Sequence, residues 1–231
     1  MVCKIYLIRH GETEFNATFR DKIGGRSNWA ELNKKGIHQM QILGKRFKEE
    51  GIKFDLVFAS PTIRAQQSAR YCLEEMSETI YRTKIASEIT ELSQGDWEGE
   101  SRDEKYGRKD VLEGLNKDCW NFIPGDKIKG ESQSMIAKRV FEWIKKTAKD
   151  NPNATIAAFT HAHSIKFTLA KILNLDKKTA YKIPIHNSGY TIIEYENNKA
   201  ICTVKNDSSH LKKAGIQIIL GASEDPEMDL E

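Results

Sequence analysis

The sequence predicts an α/β fold: a three-layer sandwich with a mostly parallel central sheet, helices on both faces and an antiparallel hairpin near the C-terminus. Three observations predict it. Short apolar runs at 5–8, 56–59 and 156–159 are continuous rather than alternating, as strands buried on both faces are. Helical patterns separate them, and such alternation of strand and helix implies a parallel sheet covered on both sides. Finally, 189–195, then Asn197 and Asn198, then 200–204 reads as a β-hairpin.

The elements follow in order. The first strand, Ile5 to Ile8, is too short for a helix and exits into Arg9-His10-Gly11-Glu12-Thr13, where Gly11 fits a tight turn. Ile37, Met40, Leu43 and Phe47 then share one helix face. The second strand, Leu56 to Ala59, exits into Ser60-Pro61-Thr62-Ile63-Arg64, with a helix starting at Pro61 or Thr62 and burying Ala65, Ala69, Cys72 and Met76. Residues 98–130 are charged and weakly periodic, with Trp97, Trp120 and Phe122 as scattered anchors. They are predicted to be an excursion over the sheet's edge, a lid or substrate-selecting wall. Ile136, Val140, Trp143 and Thr147 mark the next helix, and Ile156 to Phe159 the third strand. That strand exits into Thr160-His161-Ala162-His163-Ser164, with a helix expected from near Ser164.

Composition bounds the function. A chain of 231 residues buries roughly 70% or more of its unfolded surface and needs no disulfide or metal staple. Cys3, Cys72, Cys119 and Cys202 show no metal spacing and are expected to be reduced, mostly packed thiols. No apolar run approaches the roughly 20 residues of a membrane span and no cleavage site follows the N-terminus, so a soluble cytoplasmic protein is expected. The chain carries 36 Lys and Arg against 33 Asp and Glu; five of those acids fall in residues 222–231, so the remainder carries 36 against 28, or +8. The expected organisation is one domain over 1–221 and a disordered acidic tail over 222–231.

In an open α/β sheet, ligands bind outside the carboxyl ends of parallel strands. Three strand exits therefore deliver Arg9, His10, Arg64, His161 and His163 to one rim, beside helix starts whose free N–H groups favour an anion. Guanidinium forks match phosphate oxygens and stay charged, so Arg9 and Arg64 are candidates to hold a dianionic phosphoryl group. One imidazole must be neutral to attack phosphorus, and a protonated second one would add a positive contact. No metal is called for, because the arginines supply the charge neutralisation. The leaving oxygen needs a proton from a nearby acid, raised in pKa by the anion; residues 88–99 supply Glu88, Glu91, Asp96 and Glu98, which spacing does not rank.

These residues resemble the histidine phosphatase superfamily, the phosphoglycerate-mutase-like branch 1. Leu7-Ile8-Arg9-His10-Gly11-Glu12-Thr13-Glu14-Phe15-Asn16 looks like its amino-terminal signature. Ser60 to Ala69, Glu91 with Gly95 and Trp97-Glu98-Gly99, Gly130-Glu131-Ser132, Thr160-His161 and Asn206-Asp207-Ser208-Ser209-His210-Leu211 follow in order. The resemblance implies His10 as the nucleophile that becomes phosphohistidine, Arg9, Arg64 and His161 as the phosphate pocket, and Glu91 as proton donor and later base. It adds Asn16, the backbone N–H of Ala162 and Gly25, from the set Gly24, Gly25 and Ser27, as substrate contacts. Ala162 departs from the Gly often found there. It implies no cofactor.

Mutases of this group carry a longer insertion after the acid, with an adjacent arginine pair for the substrate carboxylate. Here about forty residues separate Glu91 from Gly130, and Arg102, Arg108 and Lys109 form no such pair. Hydrolysis is therefore expected: a metal-independent phosphomonoesterase for a small phosphorylated metabolite, with phosphoserine, a phosphoglycerate or a sugar phosphate as candidates. Arg20, Lys22, Arg26, Arg102, Lys105 and Arg108 are candidates for a second anionic group. The rivals are a cofactor-dependent phosphoglycerate mutase, a metal-dependent hydrolase using His161 and His163 as a metal pair, and a non-catalytic anion-binding regulatory protein. No concentrated basic stripe points to nucleic acid. A small phosphorylated substrate is the expected partner, with no membrane partner, and a homodimer is allowed.

Overall fold

The computed structural model describes residues 1–78 and 83–217. The acidic tail predicted at 222–231 lies outside them. Among the described residues six strands form one sheet in the order β3-β2-β4-β1-β5-β6: β1 (Cys3–Arg9), β2 (Leu56–Ala59), β3 (Thr83–Ile85), β4 (Thr155–Thr160), β5 (Tyr190–Glu196) and β6 (Lys199–Asp207). The first four pair in parallel, whereas β5 and β6 run antiparallel to their neighbours. The hairpin turn places Asn197 at φ 49° and Asn198 at φ 64°, a left-handed pair that asparagine tolerates.

The continuous apolar runs are explained by layers on both faces. From β1 and β4, Ile5, Leu7, Ile156 and Ala158 meet Ile136, Val140 and Ile144 of α6 (Gln133–Asp150) and Ile165 and Leu169 of α7 (Ala162–Ile172). The alternate residues Tyr6, Ile8, Ala157 and Phe159 meet Met40, Leu43 and Phe47 of α2 (Lys34–Glu49) and Ala69, Cys72 and Leu73 of α3 (Ile63–Met76). Of the four cysteines, all are free thiols, and Cys3, Cys72 and Cys119 are buried. Among the described residues no helix is long and apolar enough to cross a membrane.

Residues 98–130 are more ordered than their charge pattern conveys. They contain α4 (Arg102–Tyr106) and α5 (Lys109–Asp118), and Val111, Leu115 and Cys119 bury against Trp97 and Ile23 in a third apolar cluster. The segment is tied to the loop after α1 (Glu14–Thr18) by backbone bonds from Ile23 N–H to Glu100 O, 2.9 Å, from Gly99 N–H to Ile23 O, 2.8 Å, and from Arg102 N–H to Asp21 O, 2.7 Å. Trp120 meets Phe167 of α7 edge-on at 5.7 Å. It thus lies along the carboxyl rim of the sheet.

Gly11 is not at a positive φ, so a turn does not explain it. A Cβ there would stand 2.4 Å from the carbonyl oxygen of Gly36, and one on Gly36 would stand 2.0 Å from that of Glu12. Both glycines permit the loop after β1 to lie directly against the start of α2.

Candidate active site

Because β1, β2 and β4 are parallel and in register, with Arg9 opposite Thr160 and Ala59 opposite Phe159, their exits open on one rim. Arg9 ends β1. Its guanidinium donates to Ile185 O, and the following peptide is held by Ser188 N–H to Arg9 O, 3.1 Å, and Asn187 Nδ2 to His10 O, 3.0 Å. His10 Nδ1 lies 2.7 Å from Gly11 O. A carbonyl only accepts, so Nδ1 carries the proton and the Nε2 lone pair is free.

Arg64 is the second residue of α3. It is aimed by the carbonyls of Ser27, 2.8 Å, Arg26, 3.0 Å, and Gly25, 3.4 Å. His161 caps the start of α7, with Nε2 2.8 Å from Ser60 Oγ, and its ring centroid stands 5.2 Å from that of His10. Since α7 begins at Ala162, His161 and His163 are not successive same-face residues of one strand, which removes the geometry the metal-pair reading needs.

Glu91 follows a 3-10 turn, Ser87–Ile89. Its Oε1 accepts from Leu92 N–H at 2.8 Å and lies 3.4 Å from His163 Nδ1, while Oε2 accepts from His163 N–H at 3.4 Å. The acid-bearing segment is pinned to the rim through its carbonyls: Thr160 Oγ1 donates to Ile89 O, 2.6 Å, Ser164 Oγ to Thr90 O, 2.9 Å, and Arg139 to Glu88 O, 2.6 Å. Glu131 completes the clamp by pairing with Arg139 at 2.8 Å and accepting from Ser93 N–H at 3.3 Å.

The other acids fall elsewhere. Asp96 accepts from the backbone N–H groups of Asp126, Lys127 and Ile128, Glu98 from those of Gln94 and Ser27, and Glu88 is exposed. Only Glu91 of the four lines the pocket, together with Arg9, His10, Asn16, Gly25, Arg64 and Ala162. Asn16 Oδ1 accepts from Thr13 N–H, 3.2 Å, which leaves its Nδ2 for the pocket. Ala162 is the first residue of α7, so its N–H has no intrahelical acceptor.

Arg9, His10, Arg64, Glu91 and His161 are all at most 7% exposed, so charge acts here with little screening. Burial, then Arg64, pushes His10 well below the ordinary imidazole value, and the same two causes lower His161. Both rings are therefore neutral in the protein alone; the protonated second imidazole expected from sequence belongs to the phosphate-bound state. Burial lowers Arg64 to about 10, which leaves it charged at neutral pH. For Glu91, burial raises the carboxyl, but His163, together with the Leu92 N–H, outweighs it and holds the group well below the usual carboxylate range. This is the direction in the protein alone; the rise expected from sequence belongs to the complex with the phosphate anion.

Of the six basic residues predicted to extend the site, Lys22 and Arg102 line the pocket. Arg26 pairs with Glu131, Lys105 and Arg108 with Asp126, and Arg20 donates to Asn16 O from an exposed position. Sequence reasoning missed Thr13, Phe15 and Gln94 as lining residues, Ser60 as the partner of His161 and Glu91 as the partner of His163, which it did bring to the rim.

The arrangement defines a phosphoryl-transfer site on a mostly parallel sheet, and comparison with known proteins gives its class. The family model for the histidine phosphatase superfamily (branch 1) matches residues 5–208, and the chain belongs to that family. It is 28% identical over 186 residues to a phosphoglycerate mutase of Schizosaccharomyces pombe, covering 78% of this chain and 82% of that one. It is 24% identical over 203 residues to an adenosylcobalamin/alpha-ribazole phosphatase of Escherichia coli, covering 88% and 95%. A solved phosphoserine phosphatase of Entamoeba histolytica in complex with 3-phosphoglyceric acid superposes with TM-score 0.75 at 25% identity, over 90% of this chain and 99% of that one. Family and relatives together support activity of the phosphatase or mutase type.

Proposed function

We propose that the protein is a metal-independent phosphomonoesterase that acts on a small phosphorylated metabolite through a phosphohistidine on His10. The observation that carries this reading is the His10 tautomer: its Nδ1–H is committed to Gly11 O, which leaves Nε2 as a neutral nucleophile beside Arg9, Arg64 and His161. A phosphoryl dianion binds between Arg9 and Arg64, with Asn16 Nδ2 and the Ala162 N–H as further donors and the loop at Gly25 as wall. Nε2 attacks phosphorus as the bond to the leaving oxygen breaks, and Glu91 delivers a proton to that oxygen. Water then attacks the phosphohistidine, Glu91 takes its proton, the P–N bond breaks and phosphate leaves. The arginines neutralise the charge that spreads over the equatorial oxygens.

Lys22 and Arg102 at the pocket wall favour substrates with a second anionic group, such as phosphoserine, a phosphoglycerate or a sugar phosphate. Arg102 comes from the 98–130 segment, which acts in this reading as the wall that selects substrate. Cofactor-dependent mutase activity is the second reading, favoured by the named mutase relatives. Hydrolysis ranks first because Arg108, tied to Asp110 and Asp126, makes no carboxylate pair with Arg102 at the pocket. The test is a metal-free phosphate-release screen of phosphorylated metabolites with conversion of 3-phosphoglycerate to 2-phosphoglycerate followed in parallel. Release of phosphate is expected to dominate; dominant interconversion would reverse the ranking.

A further inference from the structure

Glu91 poses a chemical difficulty. It must hand a proton to a leaving alkoxide, yet in the protein alone its carboxyl is ionised, held so chiefly by the neighbouring imidazole of His163 against the effect of burial. The neighbour itself resolves this. The His163 ring stacks on Phe167 one turn along α7, with centroids 5.5 Å apart and planes at 21°, and so is fixed in place. Nδ1 stands 3.4 Å from Glu91 Oε1, the residue's own N–H holds Oε2, and the ring lines the same pocket as His10.

Resting on the reading above, we propose that His163 is a positioning residue that stores the proton Glu91 delivers, so that imidazole and carboxyl act as one shared-proton pair. When substrate reacts, the Nδ1–H bond breaks and an O–H bond forms on Glu91. The carboxyl then passes the proton to the leaving oxygen as its bond to phosphorus breaks, which leaves a neutral imidazole and a carboxylate. In hydrolysis of the phosphohistidine the carboxylate takes a proton from the attacking water and returns it to Nδ1, so the pair ends as it began. Glu91 is the acid facing His163 from the 87–97 loop; across the pocket stand His10, Arg9, Arg64, Lys22 and Arg102, and on the stretch that carries it lie His161 and Lys166, whose Nζ is bound to Tyr181 O. The arginines and lysines among these make the pocket positive before substrate binds. A bound phosphoryl dianion reverses the balance, so substrate and stored proton favour each other.

The experiment compares an alkyl ester, 3-phosphoglycerate, with p-nitrophenyl phosphate, whose leaving group needs no proton, across pH 5 to 9. For His163→Gln, which can hydrogen-bond Glu91 but carry no proton, the ratio of alkyl to aryl kcat/KM is expected to fall by roughly tenfold or more at neutral pH. The alkaline limb of the alkyl profile is expected to move toward lower pH. His163→Phe keeps an aromatic ring on Phe167 and should show the same loss. Equal slowing of both esters, an unmoved limb, full alkyl activity in the Phe variant, or no alkyl turnover by wild type at any pH would each overturn the proposal. Phosphohistidine formed on His10 from p-nitrophenyl phosphate in the Gln variant separates a failure here from failure of the underlying reading; its absence in wild type would sink both.

Discussion

In the proposed mechanism His10 owes its readiness to attack to two neighbours of opposite kind: the Gly11 carbonyl fixes its tautomer, and Arg64, added to burial, disfavours its protonation. Since the pKa is lowered, the neutral ring persists as pH falls below its ordinary value of 6.5. Turnover of p-nitrophenyl phosphate is accordingly expected to hold up well below that pH; an acid limb centred at or above it would contradict the assignment. Glu91→Gln should slow alkyl esters by about 10² to 10⁴ and largely spare activated aryl phosphates. Comparable slowing of both classes would take the acid role from Glu91. The cationic and imidazole residues of the site were legible in the sequence because each lies at a strand exit: Arg9 ends β1, His10 and His161 follow β1 and β4, and Arg64 is in the first turn of the helix after β2. The pairing of His163 with Glu91 was not: its helix starts at Ala162, ahead of the start expected near Ser164, behind a His161 cap whose side chain makes no capping bond, so no Ser, Thr, Asp or Asn marked the true start.

At the level of elements, the site depends on how the Glu91 loop is fastened. Arg139 on α6 donates to the carbonyls of Glu88 and Thr90 and pairs with Glu131. Arg139→Met keeps the aliphatic stem and removes five donors, so Glu91 should lose its placement while His10 keeps its own. Alkyl turnover is expected to drop by roughly tenfold or more with phosphohistidine formation from an aryl phosphate retained; loss of both would show that the clamp supports the whole rim. Gly36→Ala tests the other junction, where a Cβ would collide with the Glu12 carbonyl, and should destabilise the fold by roughly 1–3 kcal/mol in urea unfolding. A midpoint equal to wild type would mean that the loop yields freely. The strands β1, β2 and β4 and the hairpin were readable because their signals are local, continuous apolar runs and an Asn-Asn turn, whereas β3 is three residues long with none buried and carries no such run. The helices within 98–130 escaped notice because α4 is five residues long and α5 buries only Val111 and Leu115, against a small cluster rather than the main core.

For the molecule as a whole, buried groups of both kinds link folding to pH. His10, His161 and His210 all have lowered pKa values, burial being the first cause in each, and His210 falls to about 4. Below about 6.5 the unfolded chain takes up protons that the folded chain refuses, so their effect on stability worsens as pH falls through that window. The depressed carboxyls of Glu91 and Asp207 lose their contribution at still lower pH. The urea midpoint is expected to fall steadily from pH 7 to pH 5, and a flat or rising midpoint would refute this. The covalent step is tested most directly by rapid acid-free quench of the enzyme with a labelled phosphomonoester, followed by mapping of the labelled residue. An acid-labile, base-stable phosphoryl group on His10, absent from His10→Ala, is the expected result. Turnover that persists in His10→Ala, or label found on another residue, would contradict the account.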